Sequence, residues 1–276
     1  VADKLNYSDK EIAALIESVY EGTVTPFEIP ESLYLAIGDY LKQSLYKGFG
    51  GTLADFEGTP LELLTELRSN IYFFSAAKTF QQTLEMSEAI TNADGEILPF
   101  SKFKQAAADI YAKYNGGAYL QDDEKAGYLQ TEYDTAFAQA QNVVNWEKIE
   151  SEKELFPYLR KNVVEDNNTC EICAPLDGMI APVDDPVWDT LAGSLHFSCR
   201  CFEEQVTEEK GYLGYDKKEV ESLQKSQNDL MDDMFKFNAY KQKEIFSPEH
   251  PYFSVPKQFE KEARDNFGMP IPETDE

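Results

Sequence analysis

Thr169-Cys170-Glu171-Ile172-Cys173 and Leu195-His196-Phe197-Ser198-Cys199-Arg200-Cys201 hold all four cysteines of this 276-residue chain and one of its two histidines. A C-x-x-C turn can point both sulfurs to one side while the intervening N–H groups face them. The second group must then return past the first, and the connection has the residues for it. Leu176-Asp177-Gly178-Met179 sets Asp-Gly between apolar residues, a hairpin signal. Asp185-Pro186 and Ala192-Gly193-Ser194 read as further turns. Cysteine and histidine in two short groups suit one tetrahedral zinc ion.

Other uses of the same atoms fit less well. A redox C-x-x-C belongs with a βαβ pattern, and the flanks here are turn-rich instead. Two disulfides need an oxidising compartment, for which nothing in the sequence argues. A catalytic zinc keeps an open position beside a general base, whereas five candidate ligands for four positions point to a closed, structural site. The expected set is Cys170, Cys173 and His196, completed by either Cys199 or Cys201. In an extended segment those last two side chains would face opposite ways, so one of them would stay a buried, inert thiol.

Outward from this stretch, Tyr158-Leu159-Arg160-Lys161-Asn162-Val163-Val164 reads as a strand, and Asp166-Asn167-Asn168 as the turn that delivers the chain to Cys170. Cys201 to Val206 reads as a second short strand, paired with the first or with Met179-Ile180. Upstream, Leu129, Tyr133, Ala136, Phe137, Ala140, Val143 and Val144 recur three or four apart and make one face of a helix from about Asp122 to Glu150. The N-terminal part is a run of amphipathic helices. Ser8-x-x-Glu11 is a capping box and Gly22 closes that helix. A second helix runs from about Glu31 to Lys47 and breaks at Gly48-Phe49-Gly50-Gly51, a glycine run that lacks the Lys-Ser/Thr of a phosphate-binding loop. Thr59-Pro60 opens a long third, towards Ala89, in which Phe73, Phe74 and Phe80 read as core or helix contacts. Ser101 opens a fourth, closed by Asn115-Gly116-Gly117. Beyond the cysteines, a last helix starts at Asp216 and carries Val220, Leu223, Leu230, Met234 and Phe237. The proline-rich tail from Ser247 reads as an arm that packs on another surface or stays mobile, interrupted by a short helix over Lys257 to Phe267, with His250 exposed. The fold class expected is mainly α, in the α+β sense, with one small antiparallel β element around the Cys/His knot.

The charge restricts the partners. Lys and Arg number 25 against 51 Asp and Glu, a net charge of −26, and only Arg68, Arg160, Arg200 and Arg264 are arginines. Tight binding to phosphate backbones needs clustered basic residues, so DNA contact is expected to be weak or indirect. No apolar run approaches a membrane span. Val1-Ala2-Asp3-Lys4 lacks the regions of a signal peptide, and we expect a soluble, intracellular protein. The absence of Met at the first position carries the expectation that something has been removed ahead of it. Carboxylate pairs such as Asp122-Asp123, Asp184-Asp185 and Asp232-Asp233 read as turns and solvated faces in so acidic a chain.

Taken together, Cys170-x-x-Cys173, Leu176-Asp177-Gly178, Asp184-Asp185-Pro186-x-Trp188-Asp189 and His196-x-x-Cys199-Arg200-Cys201 resemble the head-morphogenesis domain of phage minor head proteins, the Mu protein F-like family. Thr131-Glu132-Tyr133-Asp134-Thr135-Ala136 is similar to the family's upstream Thr-Glu-x-x-x-Ala helix. The resemblance covers roughly Gly127 to Val206, and it departs from the family at Ser194-Leu195, where a proline usually precedes the histidine. It implies three regions: an N-terminal helical region over 1–117, a Mu F-like domain with the knot over 118–210, and a helix with a proline-rich tail over 211–276. It also implies a structural minor head protein of a phage or prophage. Such a protein associates with the portal and other head proteins in the host cytoplasm during assembly, bears on DNA packaging or ejection, and ends in the virion. With two histidines, one of them in the knot, we expect no enzyme. The alternative is a metal-dependent hydrolase or effector domain that uses the Cys/His cluster.

Overall fold

The structure, a computed structural model, describes residues 5–116 and 127–273. It divides the chain into two compact units, Val1–Ser44 with Arg68–Tyr133 and Pro251–Glu276, and Leu45–Leu67 with Asp134–His250. The described residues form helices α1 (Asp9–Tyr20), α2 (Glu31–Phe49), α3 (Gly58–Glu88), α4 (Phe100–Asn115), α5 (Tyr128–Glu152), α6 (Glu208–Gly214), α7 (Lys217–Leu230), α8 (Ala239–Gln242) and α9 (Glu260–Arg264). The strands are β1 (Tyr158–Asn162), β2 (Ile180–Pro182) and β3 (Phe202–Val206). The mainly α reading with a small antiparallel sheet holds. No helix among the described residues is long and apolar enough to cross a membrane.

In the first unit, both ends of α1 are fixed by local chemistry. Ser8 Oγ and the Glu11 carboxylate satisfy each other's backbone N–H groups. At the other end, the N–H groups of Gly22 and Thr23 reach back to the carbonyls of Val19 and Ser18, with Gly22 at φ +74°. Tyr20 packs on Phe100 and Phe103 of α4 and donates to the Leu98 carbonyl. The α4 helix starts at Phe100, not at Ser101, and Pro99 precedes it without a side-chain cap. Phe74 and Phe80 are buried, whereas Phe73 is 44% exposed and lies outside the core.

The proline-rich tail packs on its own chain. Phe267 stacks on Phe80 with ring centroids 4.6 Å apart, and Phe259 meets the same ring at 5.0 Å. Donors of the helices fix the tail's carbonyls: Gln81 Nε2 reaches Tyr252 O and Ser254 O, Tyr34 Oη reaches Pro270 O, and Arg68 reaches Pro272 O. The short helix of this tail is confined to α9, between one-turn 3-10 helices.

In the second unit the sheet has the order β2-β1-β3, antiparallel throughout, with Lys161 opposite Glu203 and Leu159 opposite both Ala181 and Gln205. Its inner face packs on α5 through a core of Trp146, Ile149, Leu159, Leu176, Val187, Trp188 and Leu195. Gly178, at φ +77°, does not make a two-residue hairpin. It completes a turn in which Met179 N–H bonds to Leu176 O, and its own N–H bonds to Lys161 O. Two residues thus oppose Lys161, a bulge that needs the left-handed glycine. The α6 helix was not foreseen from the sequence. The α7 helix, capped by Asp216, ends at Leu230, so Met234 and Phe237 lie beyond it. Leu230 faces solvent and Met231 is buried in its place. His250 is half-buried against the Phe246 ring, not exposed. Gly117, the expected helix start at Asp122, the Asp122-Asp123 pair and Val1 to Lys4 lie outside the described residues.

Candidate metal centre

Two loops carry the candidate ligands, and both are pinned before any ion is considered. In the first, Asp166 Oδ1 accepts from Asn168 N–H, and Thr169 Oγ1 bridges Asp166 N–H and Val164 O. Ala174 N–H then bonds to Cys170 O at 3.0 Å, which closes one turn and places Cys170 and Cys173 on the same side. In the second, Ser198 adopts φ +59°, and the turn it makes lets Cys199 N–H reach His196 O at 3.2 Å. Arg200 ties the loops together with a two-pronged ion pair to Asp166 at 2.6 and 2.7 Å. That guanidinium holds the Asp166 carboxyl down at about 2.

The five side chains converge in two overlapping groups, Cys170/Cys173/His196 and Cys173/Cys199/Cys201, each with its ligand atoms within 4.8 Å of one another. Cys173 belongs to both groups and is the buried member. His196 Nε2 lies 3.2 Å from Cys170 Sγ and 3.1 Å from Cys173 Sγ, and Cys173 Sγ lies 3.8 Å from Cys199 Sγ. Zinc–sulfur bonds of about 2.3 Å in a tetrahedron set sulfurs about 3.8 Å apart, so the Cys173–Cys199 separation is that of a zinc-site edge. His196 Nδ1 faces Phe197 O at 2.7 Å, the outer contact that fixes a ligating imidazole with Nε2 inward. The segment from Cys199 to Cys201 precedes β3 and is not extended strand, so both sulfurs reach the Cys173 side.

Hydrogen bonding within the cluster shifts its thiols and its imidazole in different directions. Hydrogen bonds from Cys173 and Cys201 pull the Cys199 thiol down, and the same bond pushes Cys173 up. The bond to Cys199 raises His196 to about 9. Burial opposes ionisation of Cys170, yet the N–H groups of Cys173 and Ile172 hold it below its ordinary value. The cavity beside the cluster, lined by Cys170, Cys173, His196 and Cys201 together with Val163, Val164, Thr169, Ser198 and Arg200, measures about 20 Å³. That is room for about one water-sized group.

A buried ion pair behind the cluster is not foreseen by motif reading. Lys161 of β1 and Glu203 of β3 are 0% and 1% exposed and meet at 2.6 Å. Lys161 Nζ also donates to Leu191 O and Gly193 O, and Glu203 Oε1 accepts from Gly193 N–H. The pair therefore holds the 191–193 segment that leads into His196. Burial works against the Lys161 charge, and Glu203 outweighs it, so the ammonium is raised. In the first unit a second buried pair, Lys78–Glu132 at 2.5 Å, is joined by Tyr114 O and the Tyr252 hydroxyl. Its glutamate belongs to the Thr131-Glu132 stretch singled out by resemblance.

Residues 81–203 match the family model described as phage Mu protein F-like protein, and that match points to a phage head-morphogenesis protein. The matched span begins well before Gly127 and includes all five candidate ligands. No curated protein and no solved structure matches the chain significantly.

Proposed function

We propose that this chain, of the phage Mu protein F-like family over residues 81–203, is a structural minor head protein of a phage or prophage. In this reading it associates with the portal and other head proteins in the host cytoplasm, bears on DNA packaging or ejection, and remains in the virion. It has no catalytic activity of its own. A single zinc ion, held by Cys170, Cys173, His196 and Cys199 with Cys201 beside them, staples the two loops and the sheet. Zinc bound there supplies folding free energy and a fixed geometry for four side chains. Arg200 with Asp166 and Lys161 with Glu203 hold the loops in register around it.

The observation that carries the structural reading is the convergence of five ligand side chains in two overlapping groups that share Cys173, four of them lining a cavity of about 20 Å³. The charge of −26 supports protein over nucleic-acid partners. Co-expression with the portal protein encoded by the same element tests this reading. Co-purification of the chain with portal or head particles, crosslinked to portal subunits, is expected. A chain absent from particles would overturn the assembly role, and a metal-dependent hydrolase activity that Cys173→Ala abolishes would overturn the structural one.

A further inference from the structure

β2 and β3 are the outer strands of the sheet, and their free edges differ. The β2 edge is closed. Pro182 has no N–H, its carbonyl accepts from Asp185 N–H at 3.0 Å and from the Trp188 indole at 2.9 Å, and α6 and α7 pack on the strand. Capping of this kind protects an edge from pairing.

The β3 edge has none of these devices. Lys161 gives its N–H to Met179 O at 2.8 Å and accepts from Gly178 N–H at 2.9 Å, so both its backbone groups point towards β2. In an antiparallel ladder, a residue whose backbone turns away from its neighbour faces one that does the same. Glu203, opposite Lys161, therefore directs its N–H and C=O away from β1, and Gln205, opposite Leu159, does likewise. Among the described residues nothing bonds to these four backbone groups. Gln205 Nε2, on the same strand, is a buried donor without a partner. Beside this edge, Phe202 is 52% exposed and Glu204 is exposed.

We propose that the outer edge of β3 takes up an extended, basic segment of another protein as a fourth strand. The occupant is chosen by charge. A second copy paired antiparallel about Glu204 would set Glu204 opposite its own counterpart, and like charges facing across a pair are destabilising. A strand alternating Lys or Arg with apolar residues instead sets a cation opposite Glu204 and, two residues along on the same face, a second whose aliphatic stem covers Phe202, while its apolar residues fall on the inner face. The acidic run continues through Glu208 and Glu209. Main-chain hydrogen bonds supply affinity in such strand addition, and alternate side chains supply specificity. Because β3 begins directly after Cys201, the metal cluster holds the start of the receiving strand. The proposal deepens the protein-partner reading and rests on it only for the partner's being a protein; its test needs no head protein and can fail while that reading stands.

The test is residue-resolved amide exchange on the full-length, zinc-loaded chain. In the free protein, Glu203 and Gln205 amides are expected to exchange about 100-fold faster than the ladder amides of Phe202, Glu204 and Val206. An acetylated, amidated (Lys-Val)5 peptide is expected to slow Glu203 and Gln205 about tenfold or more. A (Glu-Val)5 peptide and a fully N-methylated (Lys-Val)5 peptide are expected to leave both amides fast. Gln205→Pro removes an outward donor and no ladder bond, so it should weaken (Lys-Val)5 binding while zinc content stays unchanged. Concentration-independent protection of Glu203 and Gln205 in the free protein would show a covered edge and overturn the proposal. So would protection that rises with protein concentration alone, which makes a second copy the occupant. Equal protection by the acidic or N-methylated peptide overturns it too, even where the proline variant does not fold.

Discussion

Removing one partner of the Lys161–Glu203 pair tests how the cluster's supports are built. The pair is fully buried at 2.6 Å, so solvent does not screen it. Lys161→Met leaves the Glu203 carboxylate buried with one remaining donor, Gly193 N–H at 3.0 Å. Removing one partner of a buried pair costs about 3–5 kcal/mol, and Glu203→Leu should cost a similar amount by stranding the ammonium on two carbonyls. The double variant Lys161→Met/Glu203→Leu removes both charges. It still loses the bonds to Leu191 O, Gly193 O and Gly193 N–H, each a group whose loss costs about 1–3 kcal/mol when buried. Because it strands no charge, it should cost less than the two single costs summed, and the cycle should show a coupling of about 1–3 kcal/mol. Urea unfolding followed by tryptophan fluorescence reads the right unit, because Trp146 and Trp188 both lie in the second-unit core. Single costs that add to within about 0.5 kcal/mol would show that the two residues do not act as a pair, and the argument for their holding the 191–193 segment would fall.

Three further outcomes are expected. Zinc should bind one per chain; competition with a chromophoric chelator should show Cys173→Ser losing affinity most, since Cys173 belongs to both ligand groups, and Cys199→Ser losing more than Cys201→Ser, since its sulfur sits at the 3.8 Å edge. Gly193→Ala should destabilise the second unit by about 1–2 kcal/mol from its positive φ alone and by more in total, because an added Cβ would come 2.7 Å from Asn142 Nδ2, whereas at Gly178 it would meet only Arg160 Nη2 at an ordinary 4.0 Å, so Gly178→Ala should show the backbone cost alone. In the first unit, Ser8→Ala should cost about 1 kcal/mol in thermal or urea unfolding. The Glu11 carboxyl is held below its ordinary value by bonds from the Ser8 hydroxyl and N–H. Its contribution is therefore present above the unfolded carboxylate pKa and lost as pH falls through the depressed folded value. A stability difference between wild type and Glu11→Gln that persists unchanged to the lowest pH would contradict this.

The parts of the fold that could be read from the sequence are those fixed by neighbours in the chain. Ser8 with Glu11, Gly22 and Asp216 mark helix ends through bonds a few residues long, and each of those ends sits where its residues place it. The strands were legible because β3 directly follows Cys201 and a single turn-rich segment joins β1 to Cys170. Errors came where tertiary contacts decide. Phe73 and Phe74 are adjacent on one helix, and only packing determines that the second is buried. Periodicity carried α7 on to Phe237, but Met231 leaves helical conformation to enter the core and Asp232 caps a new turn. The tail's prolines suggested an arm that packs on another surface or stays mobile, without naming the surface, and Phe259 and Phe267 lie in a core built by α2 and α3, far away in sequence.

The Lys161–Glu203 pair occupies an instructive middle ground. The alternation of β1 makes Leu159 inward, and a period of two makes Lys161 inward as well. That contradicts the expectation that lysine stays solvated, and a short strand gives too few positions to decide between them. Weighed physically, the contradiction has content. A lysine held inward by register must either lose its charge or find a buried carboxylate. Among the described residues the strand that adjoins β1 opposite β2 is β3, and its Glu203 stands directly across from Lys161. Glu203 lies two residues past Cys201, so any register that brings Cys201 towards Cys173 also brings the glutamate to the lysine. The ion pair and the metal cluster thus share one strand register, and a slip of β3 by one residue would break both at once.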